Sequence, residues 1–271
     1  MSTLLVTIAL TAAAATGSNE LLDGGFETTS PRASLPTVTG AWGFDAAVAT
    51  GPALGVEPLE GERMLQFLAT GPLGAGGDGI SADLWQLVDL APHRELIAAG
   101  HAVARLQAGF NRVHLGPATD TQFTATLRAY DGTSARFAVS RTRVRASLSE
   151  ARVTLETDDD PTTWETVTVL DRIPAGTAFL AVHIGALENR QNDLRAETLE
   201  LHGHFADAVT LTIDTLCPAD VDLDGGVGLM DLVRVLDEWG VCAPCSSDVD
   251  RDGVVGLSDV IAVMTAWGSC R

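Results

Sequence analysis

Eight aspartates near the C-terminus are the residues of this chain best placed to do chemistry. Asp220, Asp222, Asp224 and Asp231 stand at positions 1, 3, 5 and 12 of one stretch, and Asp248, Asp250, Asp252 and Asp259 stand at the same positions of a second. Gly225 and Gly253 take position 6, where the chain must turn sharply. Gly226 and Val254 take position 7, whose backbone carbonyl is a ligand, and Val227 and Val255 take position 8 as apolar anchors. Hard oxygen donors at this spacing wrap one Ca²⁺. The expected ligand sets are therefore Asp220, Asp222, Asp224, Gly226 and Asp231 for one ion, and Asp248, Asp250, Asp252, Val254 and Asp259 for the other. Four carboxylates so close repel one another unless a cation offsets them. A solvated acidic turn is the bland alternative, and the motif's recurrence in register argues against it.

The two stretches belong to a tandem duplication. Residues 217–242 fall on 245–270 with 14 of 26 positions identical, the mark of an internal repeat. After each loop the apolar residues recur at helical spacing: Leu232, Val233, Val235, Leu236 and Trp239, then Val260, Ile261, Val263, Met264 and Trp267. Each set predicts one short helix with an apolar stripe, stopped by Gly240 or Gly268. Pro218 and the short connection from Cys242 to Ser247 leave no room for an entering helix.

The loop spacing is that of the EF-hand calcium loop. Two such loops, each followed by a single helix and closed by Asp rather than Glu at position 12, resemble the type I dockerin module over residues 217–271. The resemblance implies two bound Ca²⁺ and docking to a cohesin-like or other surface or scaffold receptor. Two departures bear on the partner. The family usually carries Asn at position 9 and a Ser-Thr-like pair after it, whereas this chain has Gly228 and Gly256, followed by Leu229-Met230 and Leu257-Ser258. Leu229 and Leu257 either pack or present an apolar face to a different receptor.

All four cysteines, Cys217, Cys242, Cys245 and Cys270, lie in this module. Zinc is a rival for Cys242-Ala-Pro-Cys245, but no histidine lies nearby. Three disulfide pairings are open. A helix of about nine residues spans roughly 13 Å, too far for Cys217 to reach Cys242, since a disulfide needs Cα atoms within about 7 Å. Antiparallel helices would instead bring Cys217 to Cys270 and leave Cys242 to Cys245.

Residues 18–216 read as one β domain. Runs of period two include Phe123–Ala129, Ala178–Ile184 and Val209–Ile213, separated by turn signals such as Asp131-Gly132. No convincing long helix appears; 93–108 is the only candidate. Arg141, Arg143 and Arg145 alternate, as on the wet face of a strand. Four phrases resemble the jelly-roll carbohydrate-binding modules with a galactose-binding-like fold: Leu21–Glu27 as a first strand, Trp42-Gly43, Ser81–Val88, and Phe205–Leu211 as a closing strand. In that family the first and last strands often share a structural calcium, and the resemblance points to Glu27 and Asp207 for it. Asp207 has the parity of Val209 and Leu211, so an inward charge needing a partner is expected. Trp85, Tyr130 and Trp164 are the ligand-binding candidates, if exposed on one face. His202-Gly203-His204 reads as surface histidines, and Asp158-Asp159-Asp160-Pro161 as a turn.

Composition narrows the function. Formal charge is −19, from 36 acidic and 17 basic residues. Every base is arginine, so lysine chemistry is excluded and a nucleic-acid partner has no basic face to use. Residues 4–15 are apolar and uncharged and are followed by small residues, as in a signal peptide over 1–17, although the n-region carries no Lys or Arg. The stretch is too short to span a bilayer. The expectation is a secreted or cell-surface protein: signal peptide 1–17, a mostly β jelly-roll sandwich 18–216, and a small helical calcium-binding module 217–271. No G-x-S-x-G or H-E-x-x-H motif appears. The leading reading is a non-enzymatic carbohydrate-binding sandwich tethered through the module. The alternatives are a jelly-roll glycoside hydrolase carrying the module as a docking tag, and a structural surface protein without a sugar ligand.

Overall fold

The computed structural model describes residues 18–70, 81–113, 121–139, 147–158, 160–188, 201–242 and 245–269. The candidate signal peptide, the Arg141–Arg145 run and Cys270 lie outside them.

Ten antiparallel strands form two five-stranded sheets packed face to face. One sheet has the order β1 (Gly43–Phe44), β4 (Ser81–Asp89), β9 (Phe179–Glu188), β6 (Thr121–Tyr130) and β7 (Ser149–Leu155). The other runs β2 (Ala46–Thr50), β3 (Met64–Ala69), β10 (His204–Thr215), β5 (Ala102–Arg112) and β8 (Glu165–Arg172). The chain crosses repeatedly between sheets, as in a jelly roll. Period-two alternation supplies the core: Leu84, Ile184, Ala125 and Val153 form one inward row of the first sheet, and Leu211, Leu106 and Val169 one inward row of the second. Gln86 points inward too, and stays satisfied because its amide exchanges hydrogen bonds with both backbone groups of Leu22 at 2.9 and 2.8 Å.

Three local expectations change. Leu21–Glu27 is not a strand; Asp23 and Phe26 take positive φ (54° and 56°), and the segment is tied to β10 through Glu20 N–Leu211 O and Val209 N–Gly24 O. Leu21 and Phe26 still enter the core, where Phe26 meets Trp42 at 5.5 Å. Of the candidate helix 93–108, only α1 (Arg94–Ala98) is helical. Gly100 (φ 67°) ends it, with Gly100 N bonded to Ile97 O and His101 N to Leu96 O, a Schellman closure. The remainder, from Ala102, is β5, whose Ala104, Leu106, Ala108 and Phe110 alternate into the core.

The third change is the parity of β10. Its pairing with β5 shifts register between Asp207 and Thr210, where Ala208 adopts φ 50°. The bulge reverses the alternation. Ala206 faces the core before it and Val209, Leu211 and Ile213 after it. Asp207 therefore shares the outer side with Phe205, opposite to expectation.

The C-terminal module holds α2 (Leu229–Asp237) and α3 (Leu257–Thr265). Both helices stop before the expected glycines. Gly240 (φ 128°) and Gly268 (φ 123°) instead open β12 (Gly240–Val241) and β14 (Gly268–Ser269). These pair crosswise with β13 (Val254–Val255) and β11 (Gly226–Val227), so the end of each helix zips to the other repeat's loop. Val227, Val235, Val255 and Val263 make a small apolar centre.

Candidate functional site

The acidic loops repeat bond for bond. Asp231 Oδ1 accepts Val221 N (2.6 Å) and Asp222 N (3.1 Å), and its Oδ2 accepts Gly228 N (2.7 Å). Asp259 does the same for Val249, Asp250 and Gly256 at 2.7, 3.3 and 2.7 Å. Asp220 Oδ2 accepts Gly225 N and Asp248 Oδ2 accepts Gly253 N, so position 1 fixes the turn at position 6. Asp220, Asp222 and Asp224 bring carboxylate oxygens within 4.8 Å of one another, as do Asp248, Asp250 and Asp252. Burial, and then repulsion from Asp231, Asp224 and Asp222, raises the Asp220 pKa, an electrostatic load that a divalent cation would relieve. The donor set of hard oxygens fits Ca²⁺ in both loops.

Cys242 and Cys245 form a disulfide with Cα atoms 5.9 Å apart. Cys217 is also disulfide-bonded.

The outer face of the first sheet gathers a second constellation. Trp85, His183, Thr126 and Arg152 stand in one cross-strand row over β4, β9, β6 and β7. His183 packs on the Trp85 ring (centroids 4.4 Å), and the Arg128 guanidinium lies over the same ring at 5.2 Å. His183 Nε2 meets Asp83 Oδ1 at 2.8 Å. Burial pushes the Asp83 carboxyl up, but His183, the Ser81 hydroxyl and Arg152 outweigh it and hold it below the usual range. Gly185 makes room for this pair: a Cβ there would lie 2.8 Å from Asp83 Oδ1 and 3.0 Å from His183 Nε2. Arg128 is fixed by Glu150 at 2.9 Å, and Arg152 reaches the Thr124 hydroxyl.

The aromatic candidates divide. Trp85 is half-buried on this face beside Phe137. Tyr130 is on the same face but buried, stacked on Phe179 at 5.3 Å. Trp164 belongs to the other sheet, packed with Val56, Met64 and Phe205, its indole N–H donating to Glu57 O. The three do not form one surface. Asp83, His183, Thr126, Arg128 and Arg152 escaped the sequence reading. Their signal was period two, with polar side chains recurring on the outward parity of β4 and β6 and a lone histidine inside apolar β9.

Glu27 and Asp207 meet at one loop. Asp207 Oδ2 accepts Leu59 N and Glu60 N at 2.8 and 3.1 Å, and Oδ1 accepts Ala208 N. Glu27 Oε1 accepts Glu62 N and Arg63 N. Backbone amides thus serve both carboxylates, and neither belongs to a three-ligand group among the described residues. Burial still pushes Asp207 up to about 6 against those hydrogen bonds.

His204 is not a surface histidine. It is buried against Phe123, with Nε2 2.6 Å from the Thr121 hydroxyl and Nδ1 donating to Leu201 O. Burial pulls its pKa down to about 4, so the ring is neutral near pH 7. The expected turn holds: Asp158 and Asp160 accept the amides of Asp160 and Thr162.

No protein-family model matches the chain, and no curated protein matches it. The chain is similar to several solved structures. A second family 16 carbohydrate-binding module is 14% identical, covering 72% of this chain and 99% of that one with a TM-score of 0.37. The CBM22-1 xylan-binding domain of Paenibacillus barcinonensis Xyn10C is 13% identical, covering 76% and 100% with a TM-score of 0.40. The enzymatically active domain of bacteriophage CBA120 tailspike protein 4 is 12% identical with a TM-score of 0.39. The match covers 72% of this chain and only 21% of that one. Among the described residues no helix is long and apolar enough to cross a membrane.

Proposed function

We propose that this is a secreted, non-enzymatic protein whose sandwich binds a glycan and whose C-terminal module is a calcium-loaded docking unit. The observation that carries the first half is the Trp85–His183–Thr126–Arg152 row. The half-buried Trp85 ring, with Arg128 and the exposed Arg152 beside it and His183 and Thr126 buried in the sheet, offers an apolar patch with hydrogen-bonding groups suited to a sugar's apolar face and hydroxyl rim. Affinity electrophoresis in a panel of polysaccharides tests it: retardation by at least one polymer, reduced tenfold or more by Trp85→Ala, is expected. Sustained release of reducing ends would sink the non-enzymatic reading and favour the hydrolase; a blank panel would favour the structural alternative.

The docking half rests on two equivalent ridges. Leu229, Val233 and Leu236 on α2, and Leu257, Ile261 and Met264 on α3, are all exposed. Such apolar patches on a small module mark a partner surface, here a cohesin-like or other scaffold receptor. Calcium held by Asp220, Asp222, Asp224, Gly226 and Asp231, and by the matching set in loop two, would stabilise the module by binding only its folded form. Calorimetry on the intact chain should count two ions, with Asp220→Ala and Asp248→Ala each removing one. No uptake near neutral pH would refute the assignment.

A further inference from the structure

A cavity of about 580 Å³ opens at the end of the sandwich beside α1, away from the Trp85 row. Its apolar lining includes Leu90, Ile97 and Phe179, all buried. Its polar lining includes Asp89, Arg94, Thr133 and Ser134. The Arg94 guanidinium is exposed and makes neither an ion pair nor a hydrogen bond among the described residues, and the Thr133 and Ser134 hydroxyls are equally unengaged. Asp89 uses Oδ1 to accept Ala91 N and keeps Oδ2 for another donor. Gly176 (φ 86°) leaves the opposite rim open, since a Cβ there would meet nothing within 4 Å.

We propose that this cavity binds a single uronic-acid residue, free or at the end of a glycan. The reasoning is complementarity. Among the described residues Arg94 is the cavity's one cation, and it offers a planar fork suited to a carboxylate. Asp89 offers an acceptor suited to sugar hydroxyls, and Thr133 and Ser134 can both give and take. A neutral sugar leaves Arg94 unmatched, and a simple dicarboxylate finds Asp89 repulsive. A sugar acid, carrying one carboxylate and several hydroxyls, satisfies both ends and lays its carbon face on the apolar floor. The volume lies within the range of small-ligand sites. The site is independent of the sheet-face reading.

Titration of the intact chain with D-glucuronate, D-galacturonate, D-glucose and D-galactose, followed by amide NMR shifts, tests it. Saturable shifts at Thr133, Ser134 and Gly176 are expected with a uronate, with at least tenfold weaker response to the neutral sugars. Arg94→Gln, an exposed change that leaves the fold intact, should weaken uronate binding at least tenfold, and added salt should weaken it as well. The uronate titration reads the cavity and polysaccharide retardation reads the sheet face, so failure of the sheet-face reading and failure of this one are separable. Equal response to uronate and neutral sugar, wild-type affinity in Arg94→Gln, or no shift at 50 mM uronate would each overturn the proposal.

Discussion

At the scale of single residues, burial without a charge partner governs the titration of Asp171. Asp171 sits at the end of β8, half-buried, and burial pushes its pKa up to about 6 against the one Ser149 hydrogen bond of 2.7 Å. The folded chain therefore holds this proton more tightly than the unfolded chain, whose aspartates titrate near 3.8. Its contribution is most favourable below about pH 4 and is lost as pH rises through 6. Asp171→Asn keeps an acceptor for Ser149 and removes the ionisation. It should raise stability at pH 7.5 by about 1–2 kcal/mol, less than the full shift because the group is partly solvated, and change little at pH 4. Urea melts at both pH values check this; an equal effect at both would mean that ionisation is not the cause.

At the scale of elements, what was legible depended on whether the pattern was local. The strands carrying Phe123, Ile184 and Leu211 followed from period two, and the loop–helix repeats followed from carboxylate spacing. The bulge in β10 did not. Nothing in Phe205–Leu211 announces that one extra residue will reverse the faces, because Ala208 carries the left-handed conformation where glycine is the usual occupant. That single slip misplaced Asp207. The same blindness hid His183, since a histidine in an apolar run becomes part of a site only when β4 and β6 bring Asp83, Trp85 and Thr126 beside it. Ala208→Gly tests the strain directly. Removing a Cβ from a positive-φ position should stabilise by roughly 1 kcal/mol, read as a rise of a few degrees in Tm. A lowered Tm would show that the bulge is not strained.

At the scale of the whole molecule, two arginines join the module to the sandwich. Arg251, at position 4 of loop two and with φ 63°, sends Nη1 to Ala99 O and Nη2 to Gly100 O, both at 2.5 Å. These are the carbonyls at the C-terminal end of α1, where a cation is favoured. Gly100 has no space for a side chain because the guanidinium lies against it. Arg172, at the end of β8, donates to the carbonyl of Asp220 at 2.6 Å. Loop one carries Leu223 where loop two carries Arg251, so the repeat's near-symmetry is broken on the side that touches the sandwich. Neither arginine stood out in the sequence, because each finds its carbonyl only after both units have folded. Both contacts run through residues of the proposed calcium loops, so loop order and domain orientation should change together. Small-angle scattering on the intact chain is expected to show a larger radius of gyration after chelation, and also with calcium present in an Arg172→Ala/Arg251→Ala double variant that still binds two ions. A double variant as compact as the wild type would show that the two arginines do not hold the units together.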